Sequence, residues 1–218
     1  MIDLWLMHWP GPGRHLDYPP VKMGMDRPKV EIDTNKEKTV PMDWSPDTRL
    51  DTYNEMAKFV GKEVVALGVC NYSARQLTQL LDFCLTNNLP RPAVVQNEFR
   101  SLLLAREVRV LCKKDGIMFQ AYANPGAGSL ELMDNKVVKN IASKVGVNEA
   151  QVLLRWGVEH GCALLPKSAK EERMKSNRDI WGFKLSKEDM DELDSLDKSK
   201  EGKNTMAGWL REEDPDYF

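Results

Sequence analysis

Nothing in the 218 residues approaches the ~18 consecutive apolar positions of a membrane span, so no membrane association is expected. Positive charge has no surplus. Lys and Arg number 31 against 33 Asp and Glu, the net charge is -2, and the two signs interleave along the chain. That removes the basic stripe a nucleic-acid binder would carry. Cysteine is scarce as well. Cys70, Cys84, Cys112 and Cys162 stand far apart, without the paired spacing of a zinc site. They read as free thiols in a reducing compartment, and a cytoplasmic location is expected. The three histidines (His8, His15 and His160) form no ligand constellation, so no metal is expected. A secretory leader pattern is missing, which predicts no secretion. So is any Gly-x-Gly-x-x-Gly loop after a strand.

What is present suits a globular domain with a sizeable core: 42% of residues are hydrophobic. The first stretch is the most informative. Residues 2–7 are mostly apolar, run straight into His8 and are stopped by Pro10. This reads as a short buried strand with a histidine at its C-terminal end. In parallel α/β sheets, chemistry sits beyond the C-terminal strand ends. His8 is therefore either a strand-end histidine bonded to backbone or a catalytic group.

Residues 11–47 follow as a polar stretch with Pro12, Pro19, Pro20, Pro28, Pro41 and Pro46 and no regular period. It is either a loosely held insertion or a large loop forming one wall of a pocket. A helix is predicted over 48–60, with Leu50, Tyr53, Met56 and Ala57 inward and Gly61 as its stop. Residues 64–69 read as a buried strand. Ser73 and Gln76 form a capping box that opens a helix with Leu77, Leu80, Leu81, Cys84 and Leu85 at helical spacing. A short strand over 93–96, a helix ending at Gly116 and a strand over 117–122 come next, and Asn124 and Pro125 break the last. Two helices, over 134–145 and from the cap Asn148 to Gly161, lead to a strand over 162–165. A short helix near 170–177 and one capped by Ser186 precede a polar tail with Trp209, Tyr217 and Phe218. Those aromatics are either surface anchors or a substrate flap. His15 and His160 read as solvent or helix-end residues.

Strands alternating with amphipathic helices, with no second composition regime, mean a parallel α/β domain. Five strands are countable. A (β/α)8 TIM barrel takes ~250 residues, so the chain is short of one by about three strand–helix units. An open doubly wound five-stranded sheet is the alternative from pattern alone.

Taken together, the strand ends resemble the aldo-keto reductase family. His8, in Asp-Leu-Trp-Leu-Met-His-Trp-Pro, is similar to the family's catalytic histidine, with Trp9 beside it at the substrate. The Gly-Val-Cys-Asn-Tyr run at 68–72 resembles the signature whose Ser-Asn side chains bind the nicotinamide carboxamide. Asn71 matches, and Cys70 replaces the serine with a weaker hydrogen-bonding thiol. Gln96 matches the glutamine that holds the same group, although Phe99 and Arg100 stand near the usual His-Pro. Tyr122 matches the tyrosine that stacks on the nicotinamide, with Ala123 in place of the adjacent serine. In the run 166–177, Lys167, Ser168, Arg173 and Asn177 fall at the family's adenosine-phosphate spacing. Independently of the family, a strand end leading into a helix N-terminus is a natural anion site. Two cations around one phosphate favour NADP(H) over NAD.

The resemblance implies strands four to eight of the barrel in one partial domain, 1–218, with 11–47 as a pocket loop and 199–218 as a tail. It implies NADP(H)-dependent reduction of an aldehyde or ketone by direct hydride transfer. The family's tetrad also uses Asp, Tyr and Lys from earlier strand units, and no tyrosine among Tyr18, Tyr53 and Tyr72 stands in a context to replace the donor. Two expectations follow: a reductase that is monomeric when complete, or an inactive remnant that at most binds nucleotide and associates through open sheet edges.

Overall fold

The computed structural model describes residues 1–11, 45–125 and 130–198. Most of the expected 11–47 loop lies outside the described residues, as do His15, Tyr18 and the 199–218 tail. The elements run β1 (Ile2–Met7), α1 (Pro46–Ala57), β2 (Val64–Cys70), α2 (Ala74–Thr86), β3 (Val94–Glu98), α3 (Arg106–Asp115) and β4 (Met118–Tyr122). Then follow α4 (Leu130–Met133), α5 (Lys136–Val145), α6 (Glu149–Glu159), β5 (Ala163–Leu164), α7 (Glu171–Arg178) and α8 (Lys187–Asp194). No helix among the described residues is long and apolar enough to cross a membrane.

All five strands are parallel, in the spatial order β1-β2-β3-β4-β5. This order removes the doubly wound alternative. A doubly wound sheet reverses direction at a switch point, whereas here every crossover steps the same way, and right-handed connections then lay the helices on the same face. Among the described residues no strand pairs with the outer edge of β1 or of β5. The sheet is a parallel arc of five strands in sequential order, with its helices packed on one face.

Alternation along the strands produces two unlike faces. Met7, Leu67, Val69, Val95, Phe119 and Ala121 are buried against the helices. Leu4, Leu6, Ala66, Val94, Gln96, Gln120 and Tyr122 line the opposite, half-exposed face. Gly68 lies on that second face because no side chain fits: a Cβ there would stand 2.4 Å from Leu6 Cδ2 and 2.6 Å from the Val94 carbonyl oxygen.

The helices begin and end where their capping groups dictate. The capping boxes Ser73–Gln76 and Asn148–Gln151 form as expected, and Ser186 forms one with Asp189. Gly116 and Gly146 end α3 and α5 in left-handed conformation. Several expected boundaries move. α1 starts two residues before 48, because Pro46 takes the first helical position and Ser45 accepts from the Thr48 amide. β3 runs on to Glu98 because its ladder with β4 continues there. β5 shrinks to two residues, and the turn α4 had no signal in the pattern.

Asp194 is one of the points that hold the outer layer together. Asp194, the last residue of α8, accepts from Trp156 Nε1 and bonds His160 Nε2 through one oxygen, each at 2.8 Å. His160, expected as a solvent or helix-end residue, does cap α6, but its ring also packs edge-on against Phe99 and Trp156. Phe99 stacks on Trp156 at 4.5 Å, and the Arg109 guanidinium lies over the Phe99 ring, 4.7 Å from its centroid. Burial holds the His160 pKa below its ordinary value. The hydrogen bond to Asp194 opposes that shift, and Arg109 and Arg106 add to it.

Two outcomes are expected. Gly68→Ala destabilises the fold by about 1–3 kcal/mol through overpacking, read as a lower urea midpoint. The depressed His160 pKa makes the unfolded chain bind a proton that the folded chain resists, so stability falls as pH drops through ~6.5. Urea midpoints between pH 7.5 and 5.5 should decline in the wild type and decline less in His160→Gln.

Candidate functional site

The site residues stand at the C-terminal ends of the strands, on the half-exposed face. Register brings them into one row. Cys70 is opposite Gln96, Gln96 opposite Gln120, and Gln120 opposite Ala163. Met7 pairs with Val69, so His8 follows in line with Cys70. One step higher, Glu98 is opposite Tyr122. In-register parallel neighbours share a face, which is why residues so far apart in sequence stand side by side.

Asn71 joins the row into one unit. It follows β2 directly, with φ at +61°, a left-handed conformation that asparagine tolerates better than most residues. Its backbone N–H donates to Gln96 O at 3.0 Å. Its Nδ2 donates to His8 O at 2.9 Å, and its Oδ1 accepts from the Tyr122 hydroxyl at 2.6 Å. The next residue is held as firmly: Asn97 accepts from Tyr72 N at 3.1 Å and donates to Tyr72 O at 2.7 Å. Gln96 Nε2 donates to Gln120 Oε1 at 2.7 Å.

The members differ in what they present. His8 is exposed, its ring tilted against half-buried Trp9 at 5.2 Å. Tyr122 and Gln96 are half-buried. Asn71 and Cys70 are each only 2% exposed. Burial pushes the Cys70 thiol up to about 12, so it stays protonated. Burial, with Glu98 and Cys70 nearby, also raises the Tyr122 hydroxyl above its ordinary value.

Lys167, Ser168, Arg173 and Asn177 form a second group, beyond β5 and at α7. Ser168 Oγ accepts from Lys170 N at 3.1 Å and turns the chain into the helix. Lys170 is the N-cap and gives the first amides of α7 no side-chain acceptor. Lys175 pairs with Glu171 at 2.8 Å, which offsets one of two acidic residues in the first turn. Lys167 and Arg173 are exposed and carry no ion pair among the described residues. No hydrogen bond joins this group to the Asn71 unit among those residues.

The sequence shows neither the place of Gln120 nor the partner of Arg100 directly. Gln120 belongs to the row, and alternation back from Tyr122 would have found it. Arg100, near the family's usual His-Pro, donates from Nε to Glu98 Oε1 at 2.9 Å inside the protein. The pair is buried on both sides, so the cation is structural rather than presented to a ligand.

Comparison with known proteins agrees with this architecture. The model of the aldo/keto reductase family matches residues 1–198. The chain is 33% identical to the glyoxal reductase of Bacillus subtilis over 200 residues, 91% of this chain and 58% of that protein. It is also 33% identical to the Saccharomyces cerevisiae protein named glycerol 2-dehydrogenase (NADP(+)), over 94% of this chain and 63% of that one. The structure superposes on the aldose reductase of Schistosoma japonicum with a TM-score of 0.71 at 29% identity, covering 90% of this chain and 58% of that one. The chain thus spans about three-fifths of the length of these relatives. With the parallel order, the strand-end row and a family match over 198 residues, the chain belongs to the aldo/keto reductase family.

Proposed function

We propose that this polypeptide serves the NADP(H)-dependent reduction of an aldehyde or ketone to an alcohol, with residues 1–218 supplying the cofactor shelf and the carbonyl-orienting histidine. The observation that carries this reading is the row at the strand ends, with two exposed cations beyond β5, Lys167 before α7 and Arg173 within it, that carry no ion pair among the described residues. The NADP(+) in the name of the yeast relative supports the choice of nucleotide. In this reading the chain forms one partial barrel domain, with 11–47 as a pocket loop and 199–218 as a tail.

The side chains fit such a cofactor unevenly. The half-buried Tyr122 ring offers a flat apolar surface for the nicotinamide. Gln96 offers its amide, while Asn71 and Cys70 lie deeper. Lys167 and Arg173, with Ser168 and Asn177, hold the phosphate of the adenosine half, where a point charge and a planar fork complement each other. When bound there, NADP(H) would supply the hydride for a carbonyl carbon. His8 stands exposed at the end of β1 with Trp9 against it, and orients the carbonyl oxygen by a hydrogen bond.

The new alkoxide also needs a proton, and the described tyrosines do not offer one. Tyr53 donates to Pro90 O at 3.0 Å, Tyr72 to Met7 Sδ at 3.1 Å, and Tyr122 to Asn71. Burial raises all three above the ordinary phenol value. This favours a second reading for residues 1–218 alone: a nucleotide-binding half without turnover.

NADPH fluorescence with the purified chain tests both readings. Binding is expected, and Lys167→Ala/Arg173→Ala should weaken it at least tenfold, since each charge-assisted contact contributes about 1.5–3 kcal/mol. Absence of binding by the wild type overturns the shelf. Carbonyl reduction by the chain alone should stay at background. Turnover that disappears in His8→Ala would show that a proton donor is present within these residues after all.

A further inference from the structure

We infer that Asn71 is the positioning residue of this site: its amide sets the Tyr122 ring and the end of β1 that carries His8, so the ligand-facing surface is formed before any ligand arrives. What Tyr122 and His8 then do rests on the function proposed above. The bonds themselves do not.

The argument starts from connectivity. From β2, Asn71 reaches the ends of three other strands: His8 O after β1, Gln96 O in β3 and the Tyr122 hydroxyl in β4. It is 2% exposed, whereas His8 is exposed and Tyr122 half-buried. Both ends of its amide are held by protein atoms, the oxygen by the Tyr122 hydroxyl and the nitrogen by His8 O. The Tyr122 bond anchors the far end of the side chain, because the hydroxyl is its only polar atom and lies on the ring axis. The His8 bond fixes the carbonyl at the base of the imidazole.

The residue type is also specific. At φ +61°, glycine, asparagine and aspartate are favoured. Glycine meets the backbone demand but makes no side-chain bond. Aspartate accepts from Tyr122 but offers His8 O no donor. Among the three, only asparagine presents an acceptor and a donor together. Were the backbone angle the whole reason for Asn71, glycine would serve equally.

Four variants of the chain separate the cases, read by NADPH affinity and by the NMR resonances of His8 and Tyr122. Asn71→Gly and Tyr122→Phe should each weaken NADPH about fivefold, the effect of one net hydrogen bond. The double variant should be no worse than Asn71→Gly by more than about twofold, because the two changes remove the same bond. Asn71→Asp should move the His8 ring resonances, and Tyr122→Phe should leave them in place. Asn71→Gly with wild-type NADPH affinity and unmoved His8 and Tyr122 resonances overturns the inference. If the wild type binds no NADPH, the cofactor reading fails separately. The resonances then decide: movement in Asn71→Gly and Asn71→Asp supports positioning, and none overturns it.

Discussion

The period-two alternation of an in-register parallel sheet is the constraint on which everything else depends. Because Cys70, Gln96 and Gln120 are register partners, their side chains must emerge on one face. Because β1 to β5 follow one another in space as in sequence, the helices must lie on the other. Core and site are therefore two consequences of one geometry. Leu67, Val69, Val95 and Ala121 belong to the first, and their neighbours one position away to the second. Gly68 shows how tightly the two are coupled, since the strands there leave no room for even a methyl group on the site face.

A parallel sheet stops where its ladder stops, and the polar groups left at that point need partners. Side chains of Asn71 and Asn97 provide them. Each uses an amide to bond backbone or hydroxyl groups of neighbouring strands, extending the sheet's connectivity past its last rung. The same logic accounts for Arg100. A cation buried just beyond β3 is tolerable because Glu98 accepts from it within hydrogen-bond distance. At α7 the balance is opposite. Lys167 and Arg173 remain in solvent, where unpaired charge costs little and can attract an anion.

The helical layer is closed by fewer, more specific bonds. α8 is joined to α5 through Lys144 and Asp189, at 2.9 and 3.1 Å, and to α6 through Asp194. Asp189 also caps its own helix, and although burial works against it, Lys144 and Ser186 hold its carboxyl below the usual carboxylate range. Phe99, stacked on Trp156, ties this layer to the end of β3.

Local chemistry made much of this legible in the amino-acid order. Ser73 with Gln76 and Asn148 with Gln151 mark helix starts because capping bonds span three residues. Runs such as residues 64–69 mark strands because both faces of a parallel strand are apolar over most of their length. His8 and Tyr122 were recognisable as strand ends for the same reason, whereas Gln96, read as one, lies inside β3. Long-range partners were not legible. Nothing near Asn71 in sequence says that it meets His8 and Tyr122, 63 and 51 positions away. Nothing near His160 announces Asp194, and the shortness of β5 follows from how far its ladder with β4 extends. Capping and periodicity act over one helical turn or one pleat, and the sequence determined those. Register, burial and the partners of each polar atom depend on chain segments that meet only when the sheet assembles, and the tertiary structure alone decided them.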